Sequence, residues 1–263
     1  MDFKIIHINE TDSTNRWLRS FESKEYRNKG IASCEAVAKG DIPKFQDSLD
    51  KKDSLVVVAD FQTAGKGCGS NSWESERGKN LTFSMLIHPQ NIPANEQFHI
   101  TEVVSVALCE TLEHFINNKV EIKWPNDIYV GDRKICGILI ENRLQGSEIK
   151  DSIIGIGLNV NQRTFLSDAP NPVSLYQLTR QETDLEALLH QFLTNFERVS
   201  HCKTTCFDYR ERLFRKEKDS LYKDKTTCFT ARLKDVLPDG RLLLVDQEAQ
   251  ERIYAFKEVQ FVM

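Results

Sequence analysis

Val120-Glu121-Ile122-Lys123-Trp124-Pro125-Asn126-Asp127-Ile128-Tyr129-Val130-Gly131-Asp132-Arg133-Lys134-Ile135-Cys136-Gly137-Ile138-Leu139-Ile140-Glu141 is the stretch that decides the fold. Val120 to Trp124 reads as a strand, and Pro125 ends it by pushing its predecessor away from helical geometry. Asp127–Val130 and Lys134–Glu141 flank Gly131-Asp132, which predicts a hairpin. Upstream, Leu55 to Ala59 is apolar on both faces and reads as a central strand. Leu81 to Ile87 alternates apolar and polar residues, the pattern of a half-buried strand. From Asn95 to Ile116 the apolar residues recur at helical spacing. Downstream, Ser152 to Val160 is an apolar strand interrupted by Gly155 and Gly157.

The ends complete the plan. Phe3 to Ile8 reads as a strand, followed by a polar turn, Thr11-Asp12-Ser13-Thr14-Asn15, whose side chains suit the start of a helix. Thr183 with Glu186 predicts a capping box for a helix from Asp184 to His201, and a charged helix is expected over Thr204 to Lys218. Short strands at Thr227–Val236, Arg241–Asp246 and Arg252–Val262, with a turn at Leu237-Pro238-Asp239-Gly240, predict a small β-barrel. The expectation is a mixed α/β (or α+β) domain over residues 1–219, a β-sheet flanked by helices, with the barrel at 220–263. Residues 22–53 give no assignment.

Composition narrows the function. The 263 residues are 40% apolar and 28% charged, ordinary for a packed globular chain. A net charge of -4 and a pI near 5.9 argue against nucleic-acid binding, which draws on an excess of Lys and Arg. Asp2, Glu10 and Asp12 break any apolar run at the N-terminus, so no signal peptide is expected. No apolar run approaches the ~20 residues that span a bilayer. Seven scattered Cys without a C-x-x-C pair predict neither a disulfide framework nor a zinc site and suit a reducing cytoplasm.

Glycine is scarce, 12 in all, and four of the twelve lie between residues 65 and 78. Gly65-Lys66-Gly67-Cys68-Gly69 follows the buried strand and brings backbone N–H groups within reach of an anion. It is neither a Walker A loop nor a dinucleotide fingerprint. Taken alone it fits a surface turn as well as a phosphate loop. Lys123, Asn126 and Asp127 crowd a cation, an amide and a carboxylate at a strand end, which suits phosphate and hydrated Mg²⁺, or an ordinary ion-paired turn. Lys134 stands at the mouth of an apolar strand. Gly155 and Gly157 mark close approach of a ligand or of another part of the chain, and Asn159 follows them.

In this order, Asp12-Ser13-Thr14-Asn15, Gln62-Thr63-Ala64-Gly65-Lys66-Gly67, Trp73, Gly78-Lys79-Asn80-Leu81-Thr82-Phe83-Ser84, Lys123-Trp124-Pro125-Asn126-Asp127, Lys134-x-x-Gly137-Ile138-Leu139-Ile140-Glu141 and Gly155-Ile156-Gly157-Leu158-Asn159-Val160 resemble the biotin–protein ligase family. The resemblance implies a class II synthetase-like sheet with a small SH3-like barrel. It implies biotin contacts at Ser13, Thr14, Asn15, Gln62, Gly137 and Gly155; the short polar side chains among them suit the donors and acceptor of a ureido ring. Gly65, Lys66, Gly67 and Cys68 correspond to the loop that folds over biotin and its adenylate. Lys134 corresponds to the lysine beside the biotin carboxylate and the α-phosphate. Asn126 and Asp127 fall near the metal, and Trp73, Gly157 and Asn159 near the adenine.

The implied activity is ATP-dependent: biotin and ATP give biotinyl-5′-AMP, and biotin then passes to a lysine of a biotin carboxyl carrier protein or carboxylase domain. Lys134, Asp127 and Lys123 are the expected catalytic residues, with Mg²⁺ held at Asp127. Two departures stand out. Where the family often has Arg-Gly-Arg or Arg-Gly-Gln, this chain has Lys66-Gly67-Cys68, which keeps one charge and loses the guanidinium fork. The chain also begins almost at the biotin turn, so neither a DNA-binding domain nor DNA binding is expected. A homodimer is left open. A lipoate–protein ligase or octanoyl transferase is the alternative reading, disfavoured by the Gly65–Gly69 loop and by Lys123-Trp124-Pro125-Asn126-Asp127.

Overall fold

A computed structural model describes residues 3–21, 54–69, 71–166, 171–203 and 205–263. The unassigned 22–53 segment lies outside them. In chain order the elements begin β1 (Phe3–Thr11), α1 (Thr14–Phe21), β2 (Ser54–Gln62), β3 (Leu81–Ile87) and α2 (Phe98–Glu113). Then follow β4 (Val120–Lys123), β5 (Asp127–Val130), β6 (Arg133–Gln145), β7 (Glu148–Leu158), α3 (Leu175–Thr179) and α4 (Leu185–Ser200). The chain ends with α5 (Thr205–Glu211), β8 (Asp219–Asp224), β9 (Cys228–Val236), β10 (Leu242–Asp246), β11 (Glu251–Tyr254) and β12 (Val259–Phe261). Two compact units result, residues 1–94 with 135–189 and residues 95–134 with 190–263. The C-terminal sheet begins at Asp219, beside the boundary drawn from sequence, while its compact unit also takes in earlier segments.

The first unit is built on the strand order β1-β2-β3-β7-β6. β1 runs parallel to β2 and the other neighbours are antiparallel, so the sheet is mixed. Trp17 and Leu18 of α1 pack on Ile6, Leu55, Val57, Leu86 and Ile153, each such burial contributing roughly 1.5–3 kcal/mol before entropy. β3 corrects the sequence reading: all seven of its residues are buried, not one face. Polar Thr82 and Ser84 go inside because each finds a partner. Thr82 Oγ1 donates to the Ala59 carbonyl at 2.8 Å, and Ser84 meets the polar turn before α1. Alternation marks which residues share a face, and it cannot say that both faces are covered.

The second unit joins the β4–β5 hairpin, α2, most of α4, α5 and the last five strands. α2 is buried around most of its circumference, from Val103 and Val104 to Leu108 and Leu112. The final sheet is antiparallel throughout, in the order β11-β10-β9-β8-β12, and fits a small SH3-like domain. Three further expectations need correction. The charged helix stops at Glu211, and Arg215 and Glu217 adopt left-handed φ of 59° and 56°. The last strand is two, β11 and β12, and β8 falls in a segment given no element from sequence. Asp184, not Thr183, caps α4 through the N–H groups of Glu186 and Ala187, and the capping box lies instead at Ser174–Gln177 before α3. Among the described residues no helix is long and apolar enough to cross a membrane.

Gly240 shows how tightly the second unit is keyed. Its φ is +87°, and a Cβ there would lie 2.4 Å from the Phe98 ring. Its carbonyl accepts the Trp124 indole N–H at 2.9 Å. Gly240→Ala is expected to cost about 1–3 kcal/mol through the left-handed backbone alone, with the clash added. A thermal unfolding midpoint equal to that of the unaltered protein would contradict this packing.

Candidate functional site

In the first unit the polar turn before α1 is a buried network. Ser13, Thr14 and Asn15 are 3%, 3% and 5% exposed. Gln62, at the end of β2, accepts the Thr14 N–H at 2.8 Å. The Thr14 hydroxyl lies 3.1 Å from the same Gln62 oxygen and 2.6 Å from Ser84 Oγ, which in turn lies 2.6 Å from Asn15 Oδ1. Two hydroxyl protons cannot fill three such contacts. Thr14 donates to Gln62, and Ser84 donates its one proton to Asn15 or to Thr14. Asn15 Nδ2 donates to Glu141 at 2.9 Å.

The glycines of β7 make room for this network. A Cβ on Gly155 would fall 2.1 Å from Asn15 Oδ1, and one on Gly157 would fall 2.4 Å from the Trp73 indole. Gly137 stands opposite Gly157 in the ladder, so Trp73 lies over a floor with few side chains. The Gly65–Trp73 loop folds back on itself: Trp73 N–H donates to the Gly65 carbonyl at 2.9 Å, and Gly67 N–H to the Asn71 carbonyl at 2.8 Å. Gly65 is buried, Gly67 and Cys68 are partly exposed, and Lys66 is exposed. Asn159, 3% exposed, donates Nδ2 to the Val173 carbonyl at 3.1 Å while its Oδ1 is buried without a hydrogen-bond partner among the described residues. That is an acceptor waiting for a donor.

In the second unit Lys123 and Asp127 are paired residues of the β4–β5 hairpin. Asp127 Oδ1 lies 2.7 Å from Lys134 Nζ, the two side chains 31% and 26% exposed. Lys123 Nζ donates to Tyr129 Oη at 3.2 Å and sits over the Tyr129 and Phe261 rings. Burial lowers the Lys123 pKa, the Asp127 charge opposes that, and the charges of Lys134 and Arg215 reinforce it. Burial likewise raises the Tyr129 phenol. Asn126 is partly buried in the turn. The turn is fixed from outside by Tyr209, fully buried, whose hydroxyl donates to the Pro125 carbonyl at 2.7 Å. Among the described residues no group of three or more His, Cys, Asp or Glu is gathered to hold a metal.

Residues 41–159 match the family described as "Biotin/lipoate A/B protein ligase family". Among curated proteins it is similar to the bifunctional ligase/repressor BirA of Bacillus subtilis, 34% identical over 151 residues, covering 56% of this chain and 46% of that protein. The human biotin–protein ligase is 36% identical over 113 residues, 40% of this chain and 15% of that protein. The chain thus spans about half or less of the length of these relatives. Among solved structures, the biotin protein ligase of Aquifex aeolicus in complex with biotin and ATP matches with a TM-score of 0.70 at 22% identity, covering 98% of both chains. The Leishmania major enzyme in complex with biotinyl-5-AMP gives 0.60 at 18%, over 96% of this chain and 98% of that one. At these identities the structural likeness establishes the fold.

Sequence reading named Ser13, Thr14, Asn15, Gln62, Gly155 and the Gly65–Cys68 loop; the structure joins Thr14, Asn15 and Gln62 to Ser84 by hydrogen bonds, sets Asn15 against Gly155, and buries Ser13 next in the chain. It named no role for Ser84 or Glu141, the two side chains that hold Asn15. It gave no role to Asn80 and did not name Gln162; these two bond each other, and Gln162 also accepts the Glu76 N–H and donates to the Glu74 carboxylate, beside Trp73. Polar residues at the ends of apolar strands were the available signal. Gly157→Ala is expected to displace the Trp73 indole from β7. Tryptophan emission should shift to longer wavelength relative to the parent and not in a Trp73→Phe background; an unshifted spectrum would rule the contact out.

Proposed function

We propose that the chain is an ATP-dependent biotin–protein ligase that forms biotinyl-5′-AMP and transfers biotin to a lysine of a biotin carboxyl carrier protein. The observation that carries this reading is the half-buried Lys134–Asp127 pair with Lys123 beside it, in a chain whose family match and curated relatives are of the biotin ligase kind. The Ser13–Asn15 network with Gln62 offers acceptors and donors on the scale of a ureido ring. The unpartnered Asn159 Oδ1 suits the exocyclic amine of adenine, and the Trp73 indole offers a face on which a base stacks.

The biotin carboxylate is ionised at neutral pH, so its attack on the α-phosphorus needs no general base. What the step demands is positive charge aimed at the phosphate oxygens, the role of Lys134 with Lys123 and Lys66. In the second step the carrier amine attacks the acyl carbon, AMP leaves, and the amine proton passes to an acceptor, the role assigned to Asp127. Asp127 also fits a Mg²⁺ held by one carboxylate, water and nucleotide phosphates, since no all-protein cage is present among the described residues. When bound, that ion neutralises charge on the phosphates. The free thiols of Cys68, Cys109, Cys136, Cys202 and Cys228 accord with a reducing cytoplasm as the compartment.

The unaltered protein should catalyse biotin-dependent ATP–pyrophosphate exchange, and lipoate should not replace biotin. Lys134→Ala should reduce that exchange on the order of 10²–10³-fold with its circular dichroism unchanged. Exchange at the parental rate would remove Lys134 from the mechanism. For Asp127→Ala, single-turnover transfer from preformed biotinyl-5′-AMP should fall further than adenylation. Equal losses in the two half-reactions would deny Asp127 its role in transfer.

A further inference from the structure

Arg215 lies outside every motif singled out from the sequence. It sits in the link between α5 and β8 with a φ of 59°, a left-handed conformation that persists in a non-glycine residue only where its surroundings impose it. Nη1 donates to the Val262 carbonyl at 2.9 Å, and the guanidinium stacks 4.9 Å from the Phe214 ring centroid. Nη2 stands 3.6 Å from the Asp132 carboxylate, beyond hydrogen-bond length. A guanidinium has five N–H donors. Among the described residues this one makes a single hydrogen bond, although its side chain is only 21% exposed. The remaining donors are open to solvent or to a ligand, and anionic oxygens are their natural complement.

A second observation points to the same place. The Tyr222 hydroxyl is fully buried and has no hydrogen-bond partner among the described residues. Tyr222 pairs with Phe261 in the β8–β12 ladder, and Arg215 donates to the carbonyl of the next residue, Val262; burial raises the Tyr222 pKa and the Arg215 charge works against that rise. The same charge reaches Lys123, together with that of Lys134. Lys123, Lys134 and Arg215 thus face two carboxylates, Asp127 and Asp132, of which Asp132 is 72% exposed. The cluster carries an excess of positive charge on one face of the second unit.

We propose that Arg215 is a further anion-binding residue whose guanidinium takes the oxygens of the pyrophosphate released during adenylation. The assignment rests on the ligase reading. In that step a carboxylate oxygen bonds the α-phosphorus, the bond from phosphorus to its bridging oxygen breaks, and the electron pair leaves on pyrophosphate. No proton moves. Negative charge therefore grows on the leaving group, where a planar fork that is always charged is better suited than a lysine. Solvated Asp132 is readily given up for a polyanion.

The test uses the full chain and pyrophosphate itself. In biotin-dependent exchange, Arg215→Gln should raise the half-saturating pyrophosphate concentration about tenfold or more, the loss of one charged hydrogen-bonded contact. The half-saturating biotin concentration should not change. Arg215→Lys should fall between the two, which a merely structural role would not produce. A pyrophosphate requirement unchanged in Arg215→Gln would overturn the assignment. Calorimetric titration with pyrophosphate separates this from failure of the ligase reading. If the parent shows no exchange, the ligase reading falls. Pyrophosphate heat present in the parent and lost in Arg215→Gln would still uphold the subsite; equal heats would end it.

Discussion

Two missing Cβ atoms in β7 are the constraint on which the first unit depends. β7 is a central strand paired on both sides, and side chains at positions 155 and 157 would lie 2.1 Å from Asn15 and 2.4 Å from Trp73. Without them, Asn15 can lie against the sheet and bond Ser84 from one strand and Glu141 from another. One amide thereby ties the turn before α1 to β3 and β6. A buried polar network is tolerable only when its members satisfy one another, and this one closes around a residue admitted by a glycine. Glycine in a strand normally weakens it; here the ladder on both sides makes up the loss.

The second unit solves a different problem, holding a short polar turn still. Lys123 to Asp127 has little secondary structure of its own to define it. Its position is set from three elements: the Gly240 carbonyl on the Trp124 indole, Tyr209 on the Pro125 carbonyl, and Phe256 edge-on to Trp124. The backbone of β4 is bonded on its far side as well, Ile122 exchanging hydrogen bonds with Arg212 and Phe214. The small C-terminal sheet therefore belongs with the hairpin as one packed body and is no mere appendage, which is why its compact unit cuts across the order of the chain.

What was legible in the sequence follows from this. Strands with β-branched runs and proline stops were readable, as was the long α2, because their periodicity is local. The motif residues around Asn15 and Lys134 were named through family resemblance. Burial of Thr82 and Ser84 was not, since it depends on partners 23 and 69–70 residues away in the chain. The early stop of α5 was hidden too. Leu213 and Phe214 continue a helical pattern, yet Phe214 N–H is taken by the Ile122 carbonyl and Glu217 N–H by that of Leu233, so sheet contacts outbid the helix. The N-cap of α4 was missed by one residue, Asp184 for Thr183.

The charge arrangement carries the argument one step further. Lys134 and Asp127 form a pair that is about a third exposed on each side, and pairs of that exposure contribute roughly 0–1 kcal/mol. A weak pair still does two things. It keeps the Lys134 ammonium aimed at a fixed point, and it keeps a carboxylate beside cations that would otherwise repel one another. Under the ligase reading the arrival of a polyanion exchanges Asp127 for phosphate oxygens at Lys134 at small cost, because little stability was invested in the original partner. The freed carboxylate is then left next to the reacting centre, where a metal ion or an incoming amine has use for it. A fully buried pair would hold its geometry more tightly and would resist that exchange, so partial exposure is what makes the same two side chains both stable at rest and available for chemistry.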